Sequence, residues 1–287
     1  GVLPAKRAGR WEKRLKRITN ALGRARDLDV KTEFARRYRD DLPDDKDGRR
    51  RRPGVERLLL RLEQARLRVQ QRVVSELDRF EKRQVVTDIR DTLRDIKVQA
   101  KTLHVRPHDP RIRAEAGPAV LRRLEEMLVF QPYVGDPQQT DQHHQMRIAA
   151  KALRYTLEAF RPLYEDGLAD QLALAKKVQG DLGAIHDCDV WVEWIPRFLE
   201  EEGRRFDQFY GHRRGFRRIE RGVEQLRDDR ARQRDQLHCE FADWWQTQMR
   251  SETWEKFRNL FDRPVHVVGI AHPSGLSLES ESVNRAS

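Results

Sequence analysis

The sequence predicts an all-α protein made of two pseudo-symmetric helical repeats, with long amphipathic helices around a basic central groove. Three observations carry this. Apolar residues recur every three or four positions along most of the 287 residues, as helices with one buried face require. The stretch from Val55 to Leu103 contains neither glycine nor proline. A segment of the first half also returns in the second. Leu22-Gly23-Arg24-Ala25-Arg26-Asp27-Leu28-Asp29-Val30 aligns with Leu182-Gly183-Ala184-Ile185-His186-Asp187-Cys188-Asp189-Val190 at an offset of 160 residues. Outside it, Lys16-Arg17 falls on Lys176-Lys177 and, with one added residue, Phe80 falls on Phe241. Duplicated helical units pack with facing surfaces, so equivalent basic residues would meet across a groove.

Taken in order, Trp11, Leu15, Ile18 and Leu22 predict a helix over 9–22, which Gly23 ends. A second helix over 27–39 carries Leu28, Val30, Phe34 and Tyr38. The acidic run Asp40 to Asp47 with Gly48, followed by Arg49 to Arg52 and Pro53, predicts a solvated linker. Leu58, Leu62, Ala65, Val69, Val73 and Leu77 form the stripe of a long helix from Val55, with a break expected at 85–88 where Asp88 can cap a shorter one. Pro107, Pro110 and Pro118 then separate the halves, before a short helix over 119–130. The domains are therefore expected at 1–118, 119–262 and a loose tail at 263–287. In the second half, helices are expected over 141–164, 168–185 and 187–201, with Pro196 kinking the last. A long charged helix to Gln248 and a short one from Ser251 to Phe261 complete it. Asp27, Asp29, Asp187 and Asp189 are expected to cap helices that start after each Leu-Gly.

The helix over 141–164 does two jobs. At about 100° per residue, His144, Arg147, Lys151 and Arg154 share an arc of roughly 80°, beside an arc of roughly 100° holding Met146, Ala149, Ala150, Leu153, Leu157 and Phe160. The apolar arc docks the helix, and docking then holds a cationic row along its flank. No carboxylate lies within the row, and Glu158 is the first to follow it.

The whole chain has the same bias. Lys and Arg number 58 against 47 Asp and Glu, giving a net charge of +11 and an isoelectric point near 9.9, so the protein's field attracts anions. Arginine predominates, which suits forked contacts to phosphoryl oxygens. Cys188 and Cys239 form no disulfide framework and have no metal-ligand spacing. No apolar run is long enough to span a bilayer, and the first residues lack the apolar centre of a signal peptide. A cytoplasmic protein without membrane attachment is expected.

The row His144-x-x-Arg147-x-x-x-Lys151-x-Leu153-Arg154-Tyr155, the following helix with Lys176 and Gln179, and the repeated Leu-Gly-x-x-x-Asp-x-Asp-Val resemble the CHAD family, the conserved histidine α-helical domain, over 9–261. The resemblance implies two four-helix-bundle-like repeats around a basic channel that binds inorganic polyphosphate without turning it over. It carries the family's basic positions onto His144, Arg147, Lys151, Arg154 and Lys176, and the internal repeat extends them to Lys16. Lys177, Arg17, Arg26 and His186 join the expected polyphosphate-binding set through the same alignment. Polyphosphate granules or polyphosphate-associated proteins are the implied partners, with no cofactor, no metal and no catalytic residue. The family opens each half with an H-x-x-R helix, and the counterpart of His144 would precede Gly1. The first half is therefore expected to lack its first helix.

Two other functions fit parts of the pattern. His186-Asp187, with His143 and His144, could be the metal site of an HD-like phosphohydrolase. At the aligned position, however, the first half has Arg26, which cannot replace a metal ligand. Sequence-independent RNA or DNA binding would use the same cations. It would also need base-stacking aromatics, and Trp191, Trp194, Trp244 and Trp245 lie at core spacing instead.

Overall fold

The structure is a computed structural model that describes residues 4–102, 110–164 and 167–261. It is all-α, with eight α-helices and two 3-10 turns among the described residues and no strand. The tail expected at 263–287 and the segment around Pro107 lie outside the described residues.

The helices are fewer and longer than the punctuation of the sequence predicts. α1 runs from Ala5 to Asp40 straight through Gly23. A glycine inside a helix costs about 1 kcal/mol relative to alanine, and burial of Trp11, Ile18, Ala21, Ala25 and Ala35 on both sides of it outweighs that. α2 spans Lys46–Lys82. The carboxylate of Asp45 accepts the backbone N–H groups of Asp47 and Gly48, each at 2.8 Å, so the linker shrinks to a few residues and Arg49 to Arg52 become helical. The Gly48 bond, the strongest influence on Asp45, helps hold its carboxyl below the usual range.

The break after α2 comes at Gln84, whose φ of 46° is left-handed, and α3 covers Val85–Thr102. Asp88 does not cap it. Its side chain accepts the indole N–H of Trp11 at 2.7 Å and ties α3 to α1. α4 (Pro110–Leu128) includes Pro118, so the boundary expected there falls within a helix. α5 covers Thr140–Phe160.

α6 extends over 42 residues from Ala169 to Tyr210, roughly 60 Å at 1.5 Å per residue. It absorbs Gly183 and Pro196, where two helices were expected. Asp187 and Asp189 are therefore mid-helix residues, as Asp27 and Asp29 are in α1, and none of the four is a cap. α7 (Phe216–Arg250) and α8 (Thr253–Phe261) end the described chain.

Two cores share α6 and α7. One joins α1 and α2 to them through Ala35, Leu58, Leu62, Trp191, Ile195, Val223 and Leu226. The other joins α4, α5 and α8 to them through Leu124, Met127, Met146, Leu153, Leu182, Phe241 and Trp254. Each large aliphatic side chain removed from water contributes about 1.5–3 kcal/mol. The second core places the flank of α5 beside α6, with the open side turned toward α1.

Candidate functional site

Met146, Ala150, Leu153 and Leu157 of α5 are fully buried, which fixes the rotation of the helix and presents the row beside them. The rings of His144 and His186 lie 4.5 Å apart. A Cβ on Gly183 would touch Arg147 Nε at 3.6 Å, so the guanidinium lies directly over the bare backbone of α6. These contacts advance three residues along α5 and retreat three along α6. Continued, that antiparallel register sets Lys151 opposite Gln179 and Arg154 opposite Lys176.

The polar atoms of this seam are buried without partners in the chain. His144 Nδ1, Arg147 Nε, Arg154 Nε and Gln179 Oε1 have essentially no solvent contact and no hydrogen bond. Buried polar groups are nearly always paired, and one left alone costs about 1–3 kcal/mol. Arg154 has Glu158 at 3.6 Å, beyond hydrogen-bonding reach, and lies 4.5 Å from the centre of the Tyr155 ring. Burial, then the neighbouring His144 and Arg147, depress the His186 pKa below its ordinary value and hold the ring neutral near pH 7.

Beyond Arg147 the seam opens into a recess of about 870 Å³ lined from α1, α5, α6 and α7. Its cations are Lys31, Arg37, Arg147 and Arg230, its carboxylates are Asp27, Asp41 and Asp187, and the neutral ring of His186 also lines it. Arg230 is 7% exposed, stacks at 4.5 Å on Phe34, and bonds Gln233 through one terminal nitrogen at 2.7 Å. Its Nε is buried without a partner. Lys31 lies 4.7 Å above Trp194, and burial lowers its pKa against the opposing pull of Asp27.

The structure therefore brings His144, Arg147, Arg154 and His186 into one seam, with exposed Lys151 and Lys176 along its rim. The other expected residues lie elsewhere. Lys177 pairs with Asp181 at 2.8 Å and sits over Trp244. Arg26 lines an adjoining recess between α1 and α2 that shares Val30 and Arg37 with the larger one. Arg17 lines a small cleft with Arg14 and Arg83, and Lys16 is an exposed residue of α1.

Sequence reasoning missed Lys31, Arg37 and Arg230. A signal existed for Arg230, which occupies a core position in the stripe Val223, Leu226, Arg230, Leu237, Phe241. The two adjacent histidines also part. His143 faces away from the seam, bonds the carbonyl of Tyr133 at 3.0 Å and packs on His238. Among the described residues no three His, Cys, Asp or Glu side chains are placed to hold a metal ion. No helix of the described chain is long and apolar enough to cross a membrane.

A family model described as CHAD domain matches residues 1–196, from the start of the chain to Pro196 of α6. That span contains every residue of the seam. No curated protein and no solved structure matches the chain.

Proposed function

The chain belongs to the CHAD family, and from that premise we propose that it is a cytoplasmic, non-catalytic module that binds inorganic polyphosphate along the α5–α6 seam and the adjoining recess. The observation that carries this reading is the set of buried nitrogens on His144, Arg147, Arg154 and Arg230 that make no hydrogen bond within the chain. A phosphate chain would supply acceptors to all of them. Arg147, Arg154 and Arg230 would donate forked hydrogen bonds, Lys151 and Lys176 would add point charges, and no base would need reading. The groove lies between two related helical halves in this proposal. The pairing of α1–α2 against α6–α7 supports that, as does the repeated Leu-Gly segment, which lies within α1 and again within α6.

The test is Arg147→Gln, Lys151→Gln and Arg154→Gln together, which keeps helix propensity and leaves the buried stripe intact. Binding of long-chain polyphosphate should weaken steeply. The slope of log affinity against log salt should flatten by roughly two to three, if each residue engages about one phosphate as in nucleic-acid complexes. Replacing Arg68, Arg72 and Arg90, all exposed, by Gln removes equal charge and should change affinity by less than about twofold. Equal losses in the two variants would reduce binding to overall charge and end the seam proposal.

One observation favours a second reading, single-stranded nucleic acid. Tyr155 is 50% exposed at the end of the row, with Lys151 and Arg154 5.9 and 4.5 Å from its ring centre, where a base could stack. Competition at equal phosphate concentration separates the two, and RNA that displaces polyphosphate would establish the second.

A further inference from the structure

Away from the seam, α2 and α7 cross backbone to backbone. A Cβ on Gly54 would collide with the carbonyl oxygen of Ile219, and one on Gly222 with that of Arg51. Only glycine permits such an approach. The crossing brings the beginnings of both helices together, and with them their arginines. Lys46, Arg49, Arg50, Arg217, Arg218 and Arg221 are the whole lining of an open recess of about 390 Å³. All six are exposed. Among the described residues only Arg49 of the six has an ion-pair partner, Asp44, 3.5 Å away and 96% exposed.

Six cations facing one space repel one another unless an anion sits among them. Attraction among these side chains does not assemble them; the glycine contact and the apolar core beneath it do, through Val55, Leu58, Val223 and Leu226. We propose that this recess is a second phosphate-binding surface, distinct from the α5–α6 seam, which takes a run of phosphates from an inorganic chain. Five of its six cations are arginines, which hold phosphoryl oxygens through paired donors. Its lining holds no aromatic side chain on which a base could stack, which favours a bare phosphate chain over single-stranded nucleic acid. The ligand's identity rests on the proposed function above, whereas the site rests on the recess alone.

Calorimetric titration of the full chain with sodium tripolyphosphate tests it, using three variants. These are the α5 triple R147Q/K151Q/R154Q, the recess triple R217Q/R218Q/R221Q, and the two combined. Wild-type protein should show two binding events, and each triple one. The combined variant should bind at least about tenfold more weakly than either triple. R217K/R218K/R221K, which keeps charge but loses the forked donors, should fall between wild type and the recess triple. Because all three recess arginines are exposed, the two recess-only variants should melt as wild type does, and melting curves of every variant check that loss of binding is not loss of fold. If the α5 triple alone abolishes all binding, or the combined variant binds as the α5 triple does, the second surface is overturned. If only the recess triple loses binding, the seam proposal fails and this one stands. Wild-type protein that binds no tripolyphosphate overturns both.

Discussion

His143 and His144 are neighbours in sequence with opposite environments, because one residue of helix rotates a side chain by about 100°. His144 looks into the seam. His143 is 4% exposed, as is His238, and their rings lie 5.1 Å apart. Burial depresses both pKa values, and the neighbouring His143 further disfavours charge on His238. Asp136 pulls His143 upward and Asp235 pulls His238 upward, while Arg234 opposes both. A histidine whose folded pKa is depressed binds protons more readily when unfolded. Its neutral form in the folded state is therefore stabilising above the unfolded value near 6.5, and that contribution is lost as pH falls through it. His186 acts in the same direction. Asp189 opposes them: burial raises its pKa to about 6, so the folded state gains a proton there first and recovers some stability on acidification. Three histidines against one aspartate predict a melting temperature that falls between pH 7.5 and 5.5. His143→Gln together with His238→Gln should flatten that dependence, whatever the variant's melting temperature at pH 7.5. A melting temperature constant or rising toward pH 5.5 would contradict the assignment. The row on α5 was legible because its cations keep helical spacing, but the partners that divide the two histidines are remote in sequence and left no local pattern.

At the scale of elements, the sequence misleads at its own punctuation. Short-range reasoning puts an end at Gly23, a new start after Leu182-Gly183 and a kink at Pro196, yet all of these lie inside continuous helices because the apolar stripes carry on past them in phase. Periodicity carried across the interruption would have joined the pieces. It would also have found Glu202, which follows Trp191, Ile195 and Phe198 at the next core position of α6. Glu202 is fully buried and takes Arg57 at 2.5 Å and Arg61 at 2.7 Å from α2, and Arg205 at 3.2 Å from its own helix. Burial pushes its pKa up, but the hydrogen bonds from Arg61, Arg57 and Arg205 outweigh that and hold it below the usual range. The depressed carboxylate stabilises the fold above pH about 4.3, the unfolded value, and that contribution is lost as pH falls through the folded one. Glu202→Gln should lower unfolding free energy at pH 7 by about 2–4 kcal/mol, because it leaves three guanidiniums facing a neutral amide. Denaturant melts check this, and a loss under about 1 kcal/mol would make the cluster a surface ion pair of little weight. Gly222→Ala should be at least as costly, since the crossing with α2 has no room for a methyl group.

For the whole molecule, the position of the charge matters more than its total. Arg230 lines the recess beside the seam and Arg221 lines the second one. Nine residues apart on one helix, they point about half a turn away from each other at 100° per residue. A phosphate chain in the proposed seam would therefore leave the cations at the α2–α7 crossing turned to another side, open to a second chain or another part of a long one. Two such sites, if both bind as proposed, would make the protein bivalent toward a ligand that repeats along its length, and bivalence would join separate molecules into networks. Long-chain polyphosphate should raise light scattering at low salt as total phosphate approaches the protein's net charge. Excess chain should then dissolve the assemblies by saturating each site separately. Tripolyphosphate, too short to reach a second molecule, should bind without scattering. Either triple, R147Q/K151Q/R154Q or R217Q/R218Q/R221Q, should remove the scattering while leaving one binding event, because a monovalent protein only decorates a chain. Scattering that survives in both triples at undiminished amplitude would place the cross-linking in diffuse net charge, and the two faces of α7 would then have no separate roles.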